Sequence, residues 1–345
     1  MKASIVIDDK SQKPKYIQVV DSIVDEVSCG KLKLGDKLPS INEMSEASYL
    51  SRDTVEKAYK NLKKRKIITS VKGKGYYISA NELISKINIF FLINKLSSYK
   101  MKIYNSFVNY LGEHAHVSLY IYHCDESLFT NLINQHLGGF DYYVIMSHFK
   151  TDKLDHTSLT KGALSVIDKI PNDKLIVLDN KIKDVESYAE IYQDFENDIY
   201  DALKKGIDKI LKFNKIILVF PENSFHPYPK RILHGFKKFC VEYTLDFEVL
   251  VDVSEDMNIN SNDIYIVIEE NDLVNLIKLA RDNKLTLGKD IGIISYNDTP
   301  LKELLGITVI STDFIEMGNT AAKLILDKKQ DKIKNPFHFI DRKST

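Results

Sequence analysis

Three parts of this 345-residue chain carry residues that could act on a partner. The first is a glycine-containing basic turn, Lys72-Gly73-Lys74-Gly75, which follows the run Lys63-Lys64-Arg65-Lys66. Residues 1–80 hold 16 Lys and Arg against 10 Asp and Glu, and the remainder holds 32 against 38. A basic head on an acidic body implies a polyanionic partner for the head alone. The second is the end of the apolar run Leu175–Leu178, where a strand stops at Asp179. Ligands of open α/β sheets sit beyond such strand ends. The third is the loop Pro221–Pro229, where Phe225 or Tyr228 could stack on an apolar ligand face. The chain has no tryptophan, so Tyr or Phe must supply any such platform, and His226 reads as an ordinary loop histidine.

Other chemistries find no residues to carry them. There is no nucleophile-elbow GxSxG, and Cys29, Cys124 and Cys240 lie far apart without metal or redox spacing. The cysteines read as small buried hydrophobes in a reducing cytosol. The KGKG turn is flanked by no strand-to-helix GxGxxG, so it is not a nucleotide loop. The expectation is a protein that is not an enzyme and uses no metal or cofactor. No stretch reaches the roughly 18 apolar residues of a membrane span, and no signal peptide is evident, which implies a cytoplasmic location.

The elements that must position these residues fall into two styles. Pro14–Tyr16 opens a helix with an apolar face at Ile17, Val20, Val24 and Val27, ended by Gly30. Ser40 and Glu43 have capping-box spacing at the start of a short helix that fades by Leu50. Ser51 begins a third helix with an inner stripe of Val55, Ala58, Tyr59 and Leu62, and a hairpin follows over 67–78. Residues 79–86 bridge to a different grammar. Strands are expected at 87–93, 117–122, 142–146, 175–178, 216–220, 247–251, 264–268 and 291–295. Helices are expected at 101–114, 126–137, 194–211, 230–243 and 271–283. Apolar strands alternating with amphipathic helices argue for parallel sheets covered on both faces. So many units fit two lobes better than one sheet.

Two resemblances follow. GDKLPS, SRDTVEKAYKNL and KGKGYYI, in that order, resemble the winged helix-turn-helix DNA-binding domain of the GntR family. That resemblance implies a third helix in the major groove and a wing near the minor groove. It assigns Arg52 to base edges, where an arginine can bond both acceptors of guanine. It assigns Ser40, Ser51, Thr54 and Lys57 to phosphates, and Lys72, Gly73, Lys74, Gly75 and Tyr76 to the wing. Ser40 and Ser51 serve equally as helix caps. The family places an arginine two residues after the LPS serine, where this chain has Asn42, which implies an altered operator.

Further on, GKDIGIISYNDTPL (288–301), ISTDFIEMG (310–318), ENDL (270–273) and the closing RKST resemble the effector domain of LacI-type regulators, a periplasmic-binding-protein fold. By that resemblance the ligand would meet Asp179, Arg231, Asn271 and Asn297, with Ser98, Tyr99, Ser147 and His148 as further candidates. Strand-end turn or helix-cap chemistry is the alternative for Asp179 and Asn271. The family's arginine stands three residues before a glycine, whereas Arg231 stands four before Gly235. One residue turns a helical side chain by about 100°. The expected organisation is therefore an α/β protein: a winged helix-turn-helix at 1–79, a linker at 80–86, and a two-lobed, Rossmann-like domain at 87–345. The expected function is a homodimeric repressor that binds double-stranded operator DNA and is released by a small sugar. The alternatives are a GntR head on a protein-interaction module, or on an aminotransferase-like enzyme, for which the chain is too short.

Overall fold

A computed structural model describes residues 14–28, 31–79, 87–151, 156–182, 185–221 and 227–345. The expectations for Gly30, Phe225, His226 and the linker at 80–86 lie outside the described residues.

The head is built from α1 (Lys15–Ser28), β1 (Lys37–Leu38), α2 (Ile41–Ser48), α3 (Arg52–Lys64), β2 (Ile68–Val71) and β3 (Gly75–Ile78). The strands form an antiparallel sheet in the order β1-β3-β2. The core takes Val19, Val20, Ile23 and Val27 from α1, Met44 from α2, and Val55, Ala58, Tyr59 and Leu62 from α3. The α3 stripe is the one read from sequence. On α1 the buried face is rotated, and Ile17 and Val24 are only half buried. A run rich in valine and isoleucine offers two overlapping apolar stripes, and packing against α3 selects between them. Ser40 accepts from the Glu43 amide while the Glu43 carboxylate accepts from the Ser40 amide at 2.7 Å, a complete capping box.

The body has two six-stranded sheets. The first contains β4 (Ile87–Ile93), β5 (Ala115–Ile121), β6 (Tyr142–Met146), β9 (Leu175–Asp179), β10 (Ala189–Tyr192) and β16 (Asp331–Lys334), in the order β16-β10-β9-β6-β4-β5 and parallel throughout. The second contains β11 (Lys215–Val219), β12 (Asp246–Leu250), β13 (Asp263–Val267), β14 (Gly292–Tyr296), β15 (Thr308–Thr312) and β17 (Phe337–Ile340). Its order is β12-β11-β13-β14-β15-β17, with β17 alone antiparallel. A short hairpin pairs β7 (Phe149–Lys150) with β8 (His156–Thr157) above the first sheet.

In the first lobe α4 (Ser98–Leu111) and α12 (Phe314–Leu326) cover one face, and α5 (Glu126–His136) and α6 (Lys161–Ile167) cover the other. In the second lobe α7 (Phe195–Lys205) and α9 (Arg231–Glu242) cover one face, and α10 (Glu270–Asp282) the other. Two short helices, α8 (Ile207–Ile210) and α11 (Pro300–Leu304), complete the second lobe. The long helix expected at 194–211 breaks at Gly206, where a side chain would run into the Phe339 ring.

The chain passes between lobes three times: at Gln193–Asp194, at Asp313, and at Asn335–Pro336. These crossings are bonded to one another. The Asn335 amide donates to the Tyr192 carbonyl at 2.8 Å, and the Asp313 amide to the Pro336 carbonyl at 3.0 Å. The crossing segments thus form one bundle beneath the interlobe cleft, so the C-terminal ends of both sheets face a shared space.

Candidate functional site

A cavity of about 180 Å³ opens between the lobes, at the strand ends where ligands of parallel sheets bind. Its first-lobe wall comes from the loop after β4 (Asn94, Lys95, Ser97), the first turn of α4 (Tyr99, Lys100), His148, His156 and Asp179. Its second-lobe wall comes from Phe195, Pro227, Tyr228, Pro229, Ile232, Ile268, Tyr296 and Asn297.

Asp179 is the centre of a buried knot. One carboxylate oxygen, Oδ2, accepts from Lys100 Nζ and stands 2.6 Å from His148 Nε2; the other, Oδ1, accepts from Gln193 Nε2. Gln193 in turn accepts from the Thr312 hydroxyl, so the knot reaches two of the three crossings. His148 Nδ1 lies 3.0 Å from both His156 Nε2 and Asn180 Nδ2. An Nε2–H tautomer of His148 donates to Asp179 and leaves the single Nδ1 lone pair to be shared between His156 Nε2 and Asn180 Nδ2. The loop behind is held by Tyr122, whose hydroxyl accepts from the His148 amide at 2.7 Å.

Electrostatics follow from this packing. Burial alone would raise the Asp179 pKa, but Lys100, with His148, holds it well below the usual carboxylate range. Burial, then the Lys100 charge, lowers His148. Burial, then His148, lowers His156 to about 3. Both rings are neutral at pH 7. Burial also lowers Lys95, as does the neighbouring Lys100 ammonium. Two histidines and a carboxylate suggest a metal set, yet these three bond one another and Lys100 occupies their meeting point. Among the described residues no group of three such side chains is arranged to hold a metal.

The sequence candidates sort clearly by position. Asp179, His148, Tyr99 and Asn297 line the cavity. Tyr99 stacks on Phe314, with ring centroids 5.2 Å apart. Ser98 and Asn271 line an adjoining mouth with Glu269 and Glu270. Ser147 is fully buried, donates to the Ser158 carbonyl, and does not line the cavity. Arg231 does not line it either. Its guanidinium lies over the Phe195 ring, 5.5 Å from the centroid, and Ile232, three residues before Gly235, faces the cavity instead. The one-residue offset noted in the sequence is the reason. Sequence reasoning missed Asn94, Lys95, Lys100, His156 and Gln193. Of these, only Asn94 and Lys95 carried a signal, because they follow directly on the C-terminal end of an apolar strand.

Asp179 and Asn297 both hold left-handed backbone, φ 76° and 64°. Such conformations cost about 1–3 kcal/mol for most residues and collect at ligand sites. Lys302 enforces the second one, donating to the Tyr296 and Asn297 carbonyls at 3.0 Å each. Among the described residues, three buried oxygens of cavity-lining side chains have no hydrogen-bond partner: Asn94 Oδ1, Tyr296 Oη and Asn297 Oδ1.

In the head, Arg52 and Asn42 are exposed at the starts of α3 and α2. Ser51 Oγ accepts from the Thr54 amide at 3.3 Å and lies 2.8 Å from the Thr54 hydroxyl. Lys57 Nζ sits 4.3 Å from the centre of the Tyr16 ring. Lys72, Gly73 and Lys74 are exposed at the hairpin tip, with Gly75 and Tyr76 half buried behind them. Gly73 and Gly75 have φ of 76° and 109°, which this turn requires and side chains resist.

Two family models match this architecture. Residues 15–78 match the bacterial regulatory proteins of the gntR family, and residues 210–345 match the periplasmic binding protein-like domain. The head is thus a gntR-type winged helix-turn-helix, and the body has the periplasmic-binding-protein-like fold. Among curated proteins, the transcriptional repressor YtrA of Bacillus subtilis is 40% identical over 77 residues, 22% of this chain and 59% of YtrA. The mannosyl-D-glycerate transport/metabolism system repressor MngR of Escherichia coli is 36% identical over 66 residues, 19% of this chain and 28% of MngR. The chain therefore spans less than two thirds of the length of these relatives. Among solved structures, a ribose-bound LacI family regulator from Enterococcus faecium superposes with a TM-score of 0.56 at 19% identity, covering 75% of this chain and 98% of that one. The trehalose repressor of Escherichia coli superposes at 0.57 and 14% identity, covering 74% and all of that chain. At these identities the likeness concerns the fold.

Proposed function

We propose that this protein is a transcription repressor that binds a two-fold operator as a homodimer and is released from it by a small sugar. The observation that carries the reading is one chain joining a gntR-type head to a two-lobed domain whose cavity is lined by Asn94, Tyr296 and Asn297, each with a side-chain oxygen that has no partner among the described residues. A hydroxyl-rich ligand satisfies such oxygens, and leaving them bare costs about 1–3 kcal/mol each. Ribose is the ligand in the Enterococcus neighbour, which supports a sugar here. Closure of the lobes on the ligand would move the crossing bundle through Gln193 and Thr312 and alter the spacing of the heads.

Arg52 reads bases in this proposal, with Asn42 beside it in place of an arginine. Ser40, Ser51 and Thr54 set the recognition elements through their caps. Lys57, exposed on α3 beside the Tyr16 ring, contacts phosphate, and Lys72 and Lys74 do so from the wing, with Gly73, Gly75 and Tyr76 shaping the tip. Leu301, Leu304 and Leu305 on and after α11 are 62%, 81% and 44% exposed, and this apolar patch supports a self-association surface. No helix among the described residues is long and apolar enough to cross a membrane. A cytoplasmic location rests on the regulator relatives.

Mobility shift of the full chain on DNA from upstream of its own gene tests the reading. Arg52→Ala is expected to weaken binding by about 5- to 150-fold, the equivalent of about 1–3 kcal/mol. Absence of any shift, or an unchanged affinity in the variant, overturns it.

A further inference from the structure

The charges around the cavity are unbalanced. Asp179 is its single lining carboxylate among the described residues, and both of its oxygens are already taken by Lys100, His148 and Gln193. Two lysines line the same wall. Lys100 is bound to Asp179, whereas Lys95 is half buried and, among the described residues, has neither a hydrogen bond nor an ion pair. Among the described residues the groups that favour its charged form, Cys124 first and then Glu269 and Asp179, act only at a distance, and Glu269 lies in the outer mouth with Glu270. An ammonium kept out of bulk water without a counter-charge is costly, and a bound anion removes the cost.

The adjoining helix points the same way. The first turn of α4, a 14-residue helix capped by Ser97, lies in the cavity wall next to Lys95, and its partial positive charge adds to that of the ammonium. Beside it, the Asn94 amide oxygen is buried without a partner on a side chain only 4% exposed. That oxygen can only accept, so a turn of the Asn94 side chain toward the cavity would bring it a ligand hydroxyl, not the anionic group. Across the cavity, Tyr296 Oη and Asn297 Oδ1 call for further hydroxyls. The residue facing the cavity from α9 is Ile232, so the second lobe offers no arginine there to compete for the acid group.

Building on the sugar-binding reading above, we infer that the effector is an anionic sugar, a phosphorylated or carboxylated monosaccharide whose acid group docks on Lys95 and the N-terminus of α4. Its hydroxyl groups then meet Asn94, Tyr296 and Asn297. Lys95 is a specificity residue, and Lys100 is the structural lysine that neutralises Asp179.

Isothermal titration of the full chain separates this inference from the broader one. The probes are glucose 6-phosphate and ribose 5-phosphate, glucuronate and galacturonate, and the neutral glucose, ribose and galactose. At least one acid sugar should bind about tenfold or more tighter than its neutral parent, and Lys95→Gln should erase that preference. Lys95→Arg should retain it. The phosphate and carboxylate arms show which acid the site accepts. Neutral sugars binding as tightly as the acids overturn the inference and leave the sugar-receptor reading standing, as does an unchanged preference in Lys95→Gln. No binding by any sugar overturns both. A thermal melt of each variant confirms that it is folded.

Discussion

The two histidines in the cavity wall make the first lobe sensitive to mild acid, and the size of the effect follows from their environment. His156 titrates near 6.5 when unfolded and at about 3 in the fold, because burial and then His148 disfavour its charged form. A base with a lowered folded pKa binds fewer protons folded than unfolded, so stability falls as pH drops below about 6.5. At pH 5 the gap of about 1.5 units is worth about 2 kcal/mol from His156 alone. His148 acts in the same direction. Asp179 contributes nothing to this window, since its lowered pKa gives stability that is lost only below about 3.8. Asp198 opposes the trend. Burial raises its carboxyl to about 6, so protonation between pH 7 and 5 returns about 1 kcal/mol to the second lobe. The difference between wild type and His156→Gln cancels that term. Urea titrations followed by circular dichroism at pH 7 and pH 5 should show the variant losing about 2 kcal/mol less than wild type. Parallel losses in the two proteins would refute the reasoning.

Two further outcomes concern packing and assembly. At Gly318 a Cβ would collide with the Ile103 carbonyl and come within 2.9 Å of the Phe107 amide, where α12 crosses α4. Gly318→Val should cost about 1–3 kcal/mol in urea melts, and an unchanged midpoint would show that the helices can part freely. Leu304→Lys puts a charge in the exposed patch on α11 and should convert the proposed dimer to monomer in sedimentation velocity. A variant that stays dimeric would place the interface elsewhere.

The parts of the fold that were legible in the sequence are those whose cores are local. Strands such as Ile87–Ile93 and Tyr142–Met146 are apolar runs buried on both faces, and their bounds agree with the sequence reading. β10 and β16 were not found, because Glu190 and Lys332 read as exposed charges. In the sheet they are register partners, with Lys332 Nζ bonded to Glu190 at 2.7 Å. A cross-strand ion pair 142 residues apart leaves no local periodicity to detect. The site shows the same division. Asp179 and Asn297 stand at strand ends and could be named, whereas Lys100, His156 and Gln193 join Asp179 only through tertiary contact. Arg231 and Ile232 are adjacent in sequence, and only the packing of α9 decides which one faces the cavity. The helix expected at 101–114 begins at Ser98, since the Ser97 side chain accepts from the Lys100 amide and starts the helix three residues early.

The three crossings between lobes also govern how this chain can be made and dissected. Residues 87–192 contain five of the six strands of the first lobe, yet α12 and β16 arrive only after residue 313. Until then Ile103 and Phe107, fully buried in the finished lobe, lack their cover of Met317, Ala321 and Ala322. During synthesis the first lobe must therefore wait, partly open, while nearly all of the second is translated. Deletions that follow the lobe boundary as it falls along the sequence will expose that face to aggregation. A truncation meant to isolate one lobe has to rejoin two distant segments, and a nonsense mutation ahead of residue 314 removes a wall of the first lobe.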